Sequence, residues 1–235
     1  MAWPLRLAAM AAVLLPAPAP GQAYQCSVPP GSLELPRPEE EGPEVRARVT
    51  GYTLAASWSP EYCRMRKSSA VDARQCGGGD GRFGMVLHGL WPEGTTRSPQ
   101  WCRTSGQPRA ADLRPNLCAT PSVQLLGHEW ARHGSCMARS PAAYFAIQRI
   151  LWANLRWPDL DRLSRKEGLT AGDIRQAIAE ANPRFAADDI GLEVNRRGWL
   201  EGARLCYDLA FKASACPKWQ FGPSNGAKVS IWRGL

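Results

Sequence analysis

The residues able to do chemistry fall in two short stretches. All three histidines of the 235-residue chain lie there. His88 opens H-G-L-W-P, which ends at Pro92. His128 and His133 belong to the run Leu126 to Cys136, which reads L-G-H-E-W-A-R-H-G-S-C. The ordinary pKa of histidine, about 6.5, lets one imidazole be neutral while another is protonated between mildly acid and neutral pH. Phosphoryl transfer with an internal hydroxyl nucleophile needs that pair, a base for the attacking hydroxyl and an acid for the leaving oxygen. It also needs fixed positive charge for the developing phosphorane. Arg132 offers such a charge on a planar fork that suits phosphate oxygens. Glu129 is placed to orient the groups, share a proton or hold a histidine in its charged form.

Two other readings compete. A zincin-type metal site needs H-E-x-x-H, but His128 to His133 runs H-E-x-x-x-H. On a helix those imidazoles diverge by about 140° rather than about 40°, with the cation Arg132 between them. A purely structural role suits a lone histidine better than three in two tight clusters. Trp91 has two readings as well: a substrate contact stacked on a base or against the phosphate site, or a core tryptophan.

These residues require a strand and a helix to hold them. Val49 to Trp58 is rich in strand formers and reads as a core strand stopped by Ser59-Pro60. Phe83 to Leu90 reads as a second strand, carrying His88 near its end and terminated by Pro92. A helix is expected over Pro121 to His133, with Thr120 as N-cap, Pro121 at the first position and Gly134 as its stop. Its steps of about 100° put His128, Arg132, Glu129 and His133 on one side, at about 0°, 40°, 100° and 140°. Val123, Leu126 and Trp130 are left to hold it to the core.

The apolar spacing of Tyr144, Ile147, Ile150, Leu151 and Leu155 predicts a helix over Pro141 to Trp157. Leu160 to Glu167 reads as a short helix. Thr170 to Ala181 reads as another, with Thr170 capping and Asp173 at the third position. Strands are expected over Ile190 to Asn195, Trp199 to Ala203, Leu205 to Phe211 and Lys228 to Trp232, with a turn at Arg196-Arg197-Gly198.

Residues 1–23 carry one charge, Arg6, an apolar run and a small-residue exit, the pattern of a secretory signal peptide. The apolar run is too short to span a bilayer. Residues 24–44 read as a Pro/Glu-rich irregular arm, and 45–235 as one domain. The eight cysteines all follow the leader. An even number in an exported chain predicts four disulfides. Spacing favours Cys63–Cys76 and Cys206–Cys216 and leaves the other pairings open. The formal charge of +8, or +7 without Arg6, favours a polyanionic partner.

H-G-L-W-P at His88 and H-E-W-A-R-H-G-S-C at His128 closely resemble the two active-site segments of the ribonuclease T2 family. Tyr52 to Cys63, Y-T-L-A-A-S-W-S-P-E-Y-C, is similar to that family's first core strand and the turn after it. The resemblance is clear from Thr50 to Cys136, weaker to Asn182, and returns in part near Cys206. It implies a disulfide-stabilised α+β fold, an antiparallel sheet with packed helices. It implies an endoribonuclease in which His133 takes the proton of the ribose 2′-OH and His88 protonates the leaving 5′ oxygen. His128 would bind phosphate, and Glu129 with Arg132 would stabilise the pentavalent intermediate. The products would be a 2′,3′-cyclic phosphate and then a 3′-phosphate. No metal or cofactor is implied. DNA lacks the attacking hydroxyl and is expected to be inert.

One departure is chemical: the family usually has Lys where this chain has Arg132, and a guanidinium is larger and less mobile. Ser135 in place of the usual Thr is mild. The expectation is an exported enzyme, secreted or periplasmic, that acts as a monomer on single-stranded RNA without contacting membranes. The rival is a secreted RNA-binding protein of the same fold with impaired catalysis.

Overall fold

The computed structural model describes residues 25–28, 30–31, 33, 35, 42–103 and 106–234. The signal-peptide segment lies outside them, as does much of the Pro/Glu-rich arm. The described strands are β1 (Gln25–Cys26), β2 (Val49–Trp58), β3 (Gly81–Arg82), β4 (Met85–Gly94), β5 (Ile190–Val194) and β6 (Leu200–Tyr207). The α-helices are α1 (Ser59–Tyr62), α2 (Ala73–Cys76), α3 (Ala110–Leu113), α4 (Val123–Arg132), α5 (Pro141–Ala153), α6 (Leu160–Leu163), α7 (Ala171–Ala181) and α8 (Lys218–Phe221). The fold is α+β. A four-stranded antiparallel sheet runs in the order β4-β2-β6-β5, and β1 pairs with β3 beside it.

β2 occupies the interior of the sheet, and its Leu54, Ala56 and Trp58 join the core with Leu126, Trp130, Tyr144 and Phe145 from the helices. The β2 bounds match the sequence reading. β4 does not, because it runs on through Pro92 to Gly94. It is an edge strand, where a proline costs no ladder bond on its open side.

The more consequential feature of β4 is a bulge. Ala55 pairs with Gly89 and Ala56 with Leu87, so His88 is left without a partner between them. Leu87 and Leu90 are both fully buried in the core, which a strict two-residue alternation forbids for positions three apart. The extra residue resolves the conflict and turns His88 outward.

α4 starts later than the cap pattern suggested. Ser122, not Thr120, is the N-cap, and its side chain accepts the Leu125 N–H at 3.1 Å. The Thr120 hydroxyl is engaged elsewhere, donating to the Leu87 carbonyl at 2.7 Å. The helix ends at Arg132, and a 3-10 turn, Gly134–Cys136, follows. A Cβ on Gly134 would lie 2.6 Å from the Trp130 ring and 2.8 Å from Tyr144, so close packing explains that glycine.

α5 stops at Ala153, where Asn154 turns back to donate to the Ile150 carbonyl at 2.8 Å. Ile150 is 62% exposed and does not belong to the buried stripe. α6 is one turn long and ends at Leu163. α7 carries the expected capping box of Thr170 and Asp173. The two strands expected on either side of Arg204 are one, β6, which ends where Asp208 accepts the N–H groups of Ala210 and Lys212 in a turn. Lys228 to Trp232 forms only single bridges, Thr170 to Lys228 and Trp199 to Ser230. The expected turn at Arg196-Arg197-Gly198 joins β5 to β6, with Gly198 at φ 81°.

The disulfides are Cys26–Cys118, Cys63–Cys76, Cys102–Cys136 and Cys206–Cys216. Both local pairs favoured by spacing are present. No helix among the described residues is long and apolar enough to cross a membrane.

Candidate active site

The bulge on β4 and the inner side of α4 meet over Gly89. A Cβ there would lie 1.9 Å from Glu129 Oε2 and 2.9 Å from Trp91 Nε1, so only glycine lets the carboxylate settle on the strand. Glu129 is 1% exposed. Its Oε2 accepts the Trp91 indole N–H at 2.7 Å, and its Oε1 lies 3.4 Å from His88 Nε2. Ser57 Oγ from β2 lies 3.2 Å from His88 Nδ1. Both ring nitrogens of His88 therefore face oxygen, a setting suited to an imidazolium with two donors.

Trp91 stands between His88 and His133. Its ring centroid is 5.6 Å from His88 and 5.4 Å from His133. The indole is thus built into the site, through Glu129, rather than lost in the core. On its other flank the Arg204 guanidinium lies 5.7 Å from the ring centroid and pairs with Glu193.

The shared helix face divides into two rows. Glu129 and His133 form the inner row, both buried, facing β4. His128 and Arg132 form the outer row, half-buried, facing residues 100–102. There the Trp101 ring meets His128 edge-on at 5.5 Å, and Arg132 Nε donates to Gln100 Oε1 at 3.0 Å. The outer row adds charge close to His133 without sharing its contacts with Glu129 and Trp91.

The two inner histidines are driven in opposite directions. Burial pulls His133 down to about 4, and the charges of Arg132, His128 and His88 add to that against the pull of Glu129. Its Nδ1 is buried without a hydrogen-bond partner, which further penalises an added proton. Burial also works against a charged His88, but the Glu129 hydrogen bond and charge, helped by Glu193, outweigh it and raise that pKa above the ordinary value. Burial would lift Glu129, yet the hydrogen bond and charge of His88, the charge of His133 and the Trp91 indole hold it below the ordinary carboxylate range. At mildly acid pH this gives a neutral His133, a protonated His88 and an ionised Glu129.

A cleft of about 470 Å³ opens beside His88, lined by Ser57, Tyr62, Val86, Leu125 and Asn195 among others. Ser57, Gly89 and Gln100 escaped the sequence reading. Gly89 lies inside H-G-L-W-P and carried a signal; Ser57 and Gln100 are distant in sequence, and only the folded strands bring them in.

Residues 50–181 match the ribonuclease T2 family. A probable ribonuclease of Haemophilus influenzae is 34% identical over 197 residues, covering 77% of this chain and 65% of its own length. Ribonuclease Oy of Magallana gigas is 32% identical over 195 residues, covering 71% of this chain and 87% of its own. The chain thus spans just under two thirds of the Haemophilus protein and most of ribonuclease Oy. Among solved structures, trichomaglin, an S-like ribonuclease, superposes with a TM-score of 0.62 at 20% identity, over 78% of this chain and 97% of its own. At that identity the likeness bears on the fold, and it matches the sheet and helices described above. With the match running from β2 through α7 and containing both histidine segments, the chain belongs to the ribonuclease T2 family.

Proposed function

We propose that this protein is an exported endoribonuclease that cleaves single-stranded RNA through its own 2′-hydroxyl. The observation that carries the reading is the pair of histidines on either side of Trp91, one held neutral and one held protonated around a single buried carboxylate. His133 takes the proton of the 2′-OH, and that oxygen bonds to phosphorus. The bond from phosphorus to the 5′ oxygen breaks, and His88 gives its proton to the departing oxygen. Arg132 and His128 carry the phosphate oxygens as negative charge builds. Glu129 keeps His88 protonated and in place. The 2′,3′-cyclic phosphate then takes up water with the two histidines exchanging roles, leaving a 3′-phosphate. Every step uses side chains of this chain.

Residues 45–235 would act as one catalytic unit and as a monomer. Four disulfides suit an oxidising compartment, in keeping with residues 1–23 as a cleaved leader and with a secreted or periplasmic location. The positive charge favours the RNA backbone.

The test is digestion of a defined single strand of RNA and its DNA counterpart by the mature protein, in the presence of a chelator, with fragment ends read by mass. Cyclic-phosphate and 3′-phosphate ends from RNA alone are expected. Cleaved DNA, 5′-phosphate ends or a demand for added metal would refute the mechanism.

A further inference from the structure

The segment Gln100-Trp101-Cys102 meets α4 at every available level. The Gln100 side chain accepts the Arg132 Nε–H at 3.0 Å. The Trp101 N–H donates to the Arg132 carbonyl at 2.9 Å, and its ring stands against His128. Cys102 is bonded to Cys136, just past the helix end. Gln100 is fixed from behind by a two-way backbone bridge to Val45, at 2.9 and 3.1 Å. Trp101 holds φ at 56°, a left-handed conformation that a bulky side chain adopts only when its surroundings impose it. Trp101 is only 7% exposed, so the left-handed turn serves to bury it against the outer row.

A guanidinium reaches phosphate with its two terminal nitrogens and has a long, rotatable stem. An acceptor on Nε fixes the plane of the fork and leaves both terminal nitrogens free of that bond. We infer that Gln100 is a positioning residue, which acts through Arg132 by locking its guanidinium in the plane that meets the scissile phosphate, with Trp101 and the Cys102–Cys136 bridge as its mount. Backbone elements alone do not do this, because the Trp101 N–H secures only the main chain of Arg132. The inference rests on the proposed ribonuclease reading and sharpens it: the outer row is a preorganised anion clamp rather than two loose side chains.

The experiment is a double-mutant cycle on steady-state RNA cleavage with the full mature chain. Gln100→Met keeps the stem and removes the acceptor. Arg132→Lys keeps the charge and removes the Nε–H that Gln100 holds. Gln100→Met alone is expected to lower kcat about ten-fold with little change in KM, since the lost contact is aimed at the transition state. In the Arg132→Lys background the same change should cost less than about two-fold. Thermal unfolding, followed in parallel, should be near wild type for Gln100→Met.

Equal losses in both backgrounds would overturn the inference, because Gln100 would then act without Arg132. So would wild-type kcat in Gln100→Met, or a loss of kcat that only tracks lowered melting temperature. A wild-type protein that cleaves no RNA would refute the ribonuclease reading instead, so the two failures are distinct.

Discussion

At the scale of single residues, the proposed mechanism turns on where one carboxylate sits. Glu129 touches His88 and Trp91 and is admitted by Gly89. Gly89→Ala should therefore act as a displacement of Glu129, although residue 89 carries no functional group. We expect kcat to fall by at least about ten-fold with the protein still folded, measured as kcat beside the circular dichroism melt. His88→Ala and His133→Ala should each lower kcat by about 10³, the range of a lost acid or base. Much of this was legible beforehand. The helical steps put Glu129 and His133 at neighbouring angles, and His128 with Arg132 beside them. The division of that face into a buried row and an outer row was not legible, because it depends on where β4 and residues 100–102 approach. Nor could the sequence rank the histidines by pKa, since both shifts depend on burial and on how the fold brings the two motifs together.

At the scale of elements, the sheet is legible where strand formers run unbroken to a clear stop, and less so around His88. β2 matched to the residue. β4 runs past the stop expected at Pro92, because an edge strand tolerates a proline. The spacing of Leu87 and Leu90 already violated a period of two, and that violation marks the bulge that presents His88. Cap chemistry was decisive for α7 and misleading for α4. Thr170→Ala should cost about 1 kcal/mol in urea unfolding, as the loss of one capping side chain. RNA turnover should be unchanged, because α7 carries none of the site residues. At Thr120 the hydroxyl is fully buried and serves the Leu87 carbonyl, so tertiary demand overrode local propensity.

At the scale of the whole molecule, the disulfides close loops of very different length. Cys26–Cys118 spans 92 residues and Cys63–Cys76 spans 13. The chain-entropy account then gives about 4.7 kcal/mol for a loop near the first size and about 3 kcal/mol for one near the second. Paired serine variants compared by urea denaturation should rank in that order; the reverse order would show that folded-state contacts, not loop closure, dominate. The short-range pairs could be read from spacing. Cys26–Cys118 and Cys102–Cys136 could not, because the first joins the arm before β2 to the loop before α4 and the second joins residues 100–102 to the turn after it, and nothing local records either meeting. The fold class came through the active-site segments more than through propensity, since the elements of the C-terminal half carry no chemistry to identify them.

The most direct test of the account is the pH dependence of kcat/KM for RNA cleavage, in the wild type and in Glu129→Gln. In the proposed mechanism turnover needs His133 neutral and His88 protonated. The rate should rise as pH climbs through about 4, where His133 loses its proton, and fall as His88 loses its own above the ordinary histidine value. Removing the Glu129 charge leaves only the charge of Glu193 to oppose burial at His88, so the falling limb should move to lower pH in Glu129→Gln. A falling limb that stays in place, or a rate still rising above neutral pH, would contradict the assignment of His88 as the acid held by Glu129.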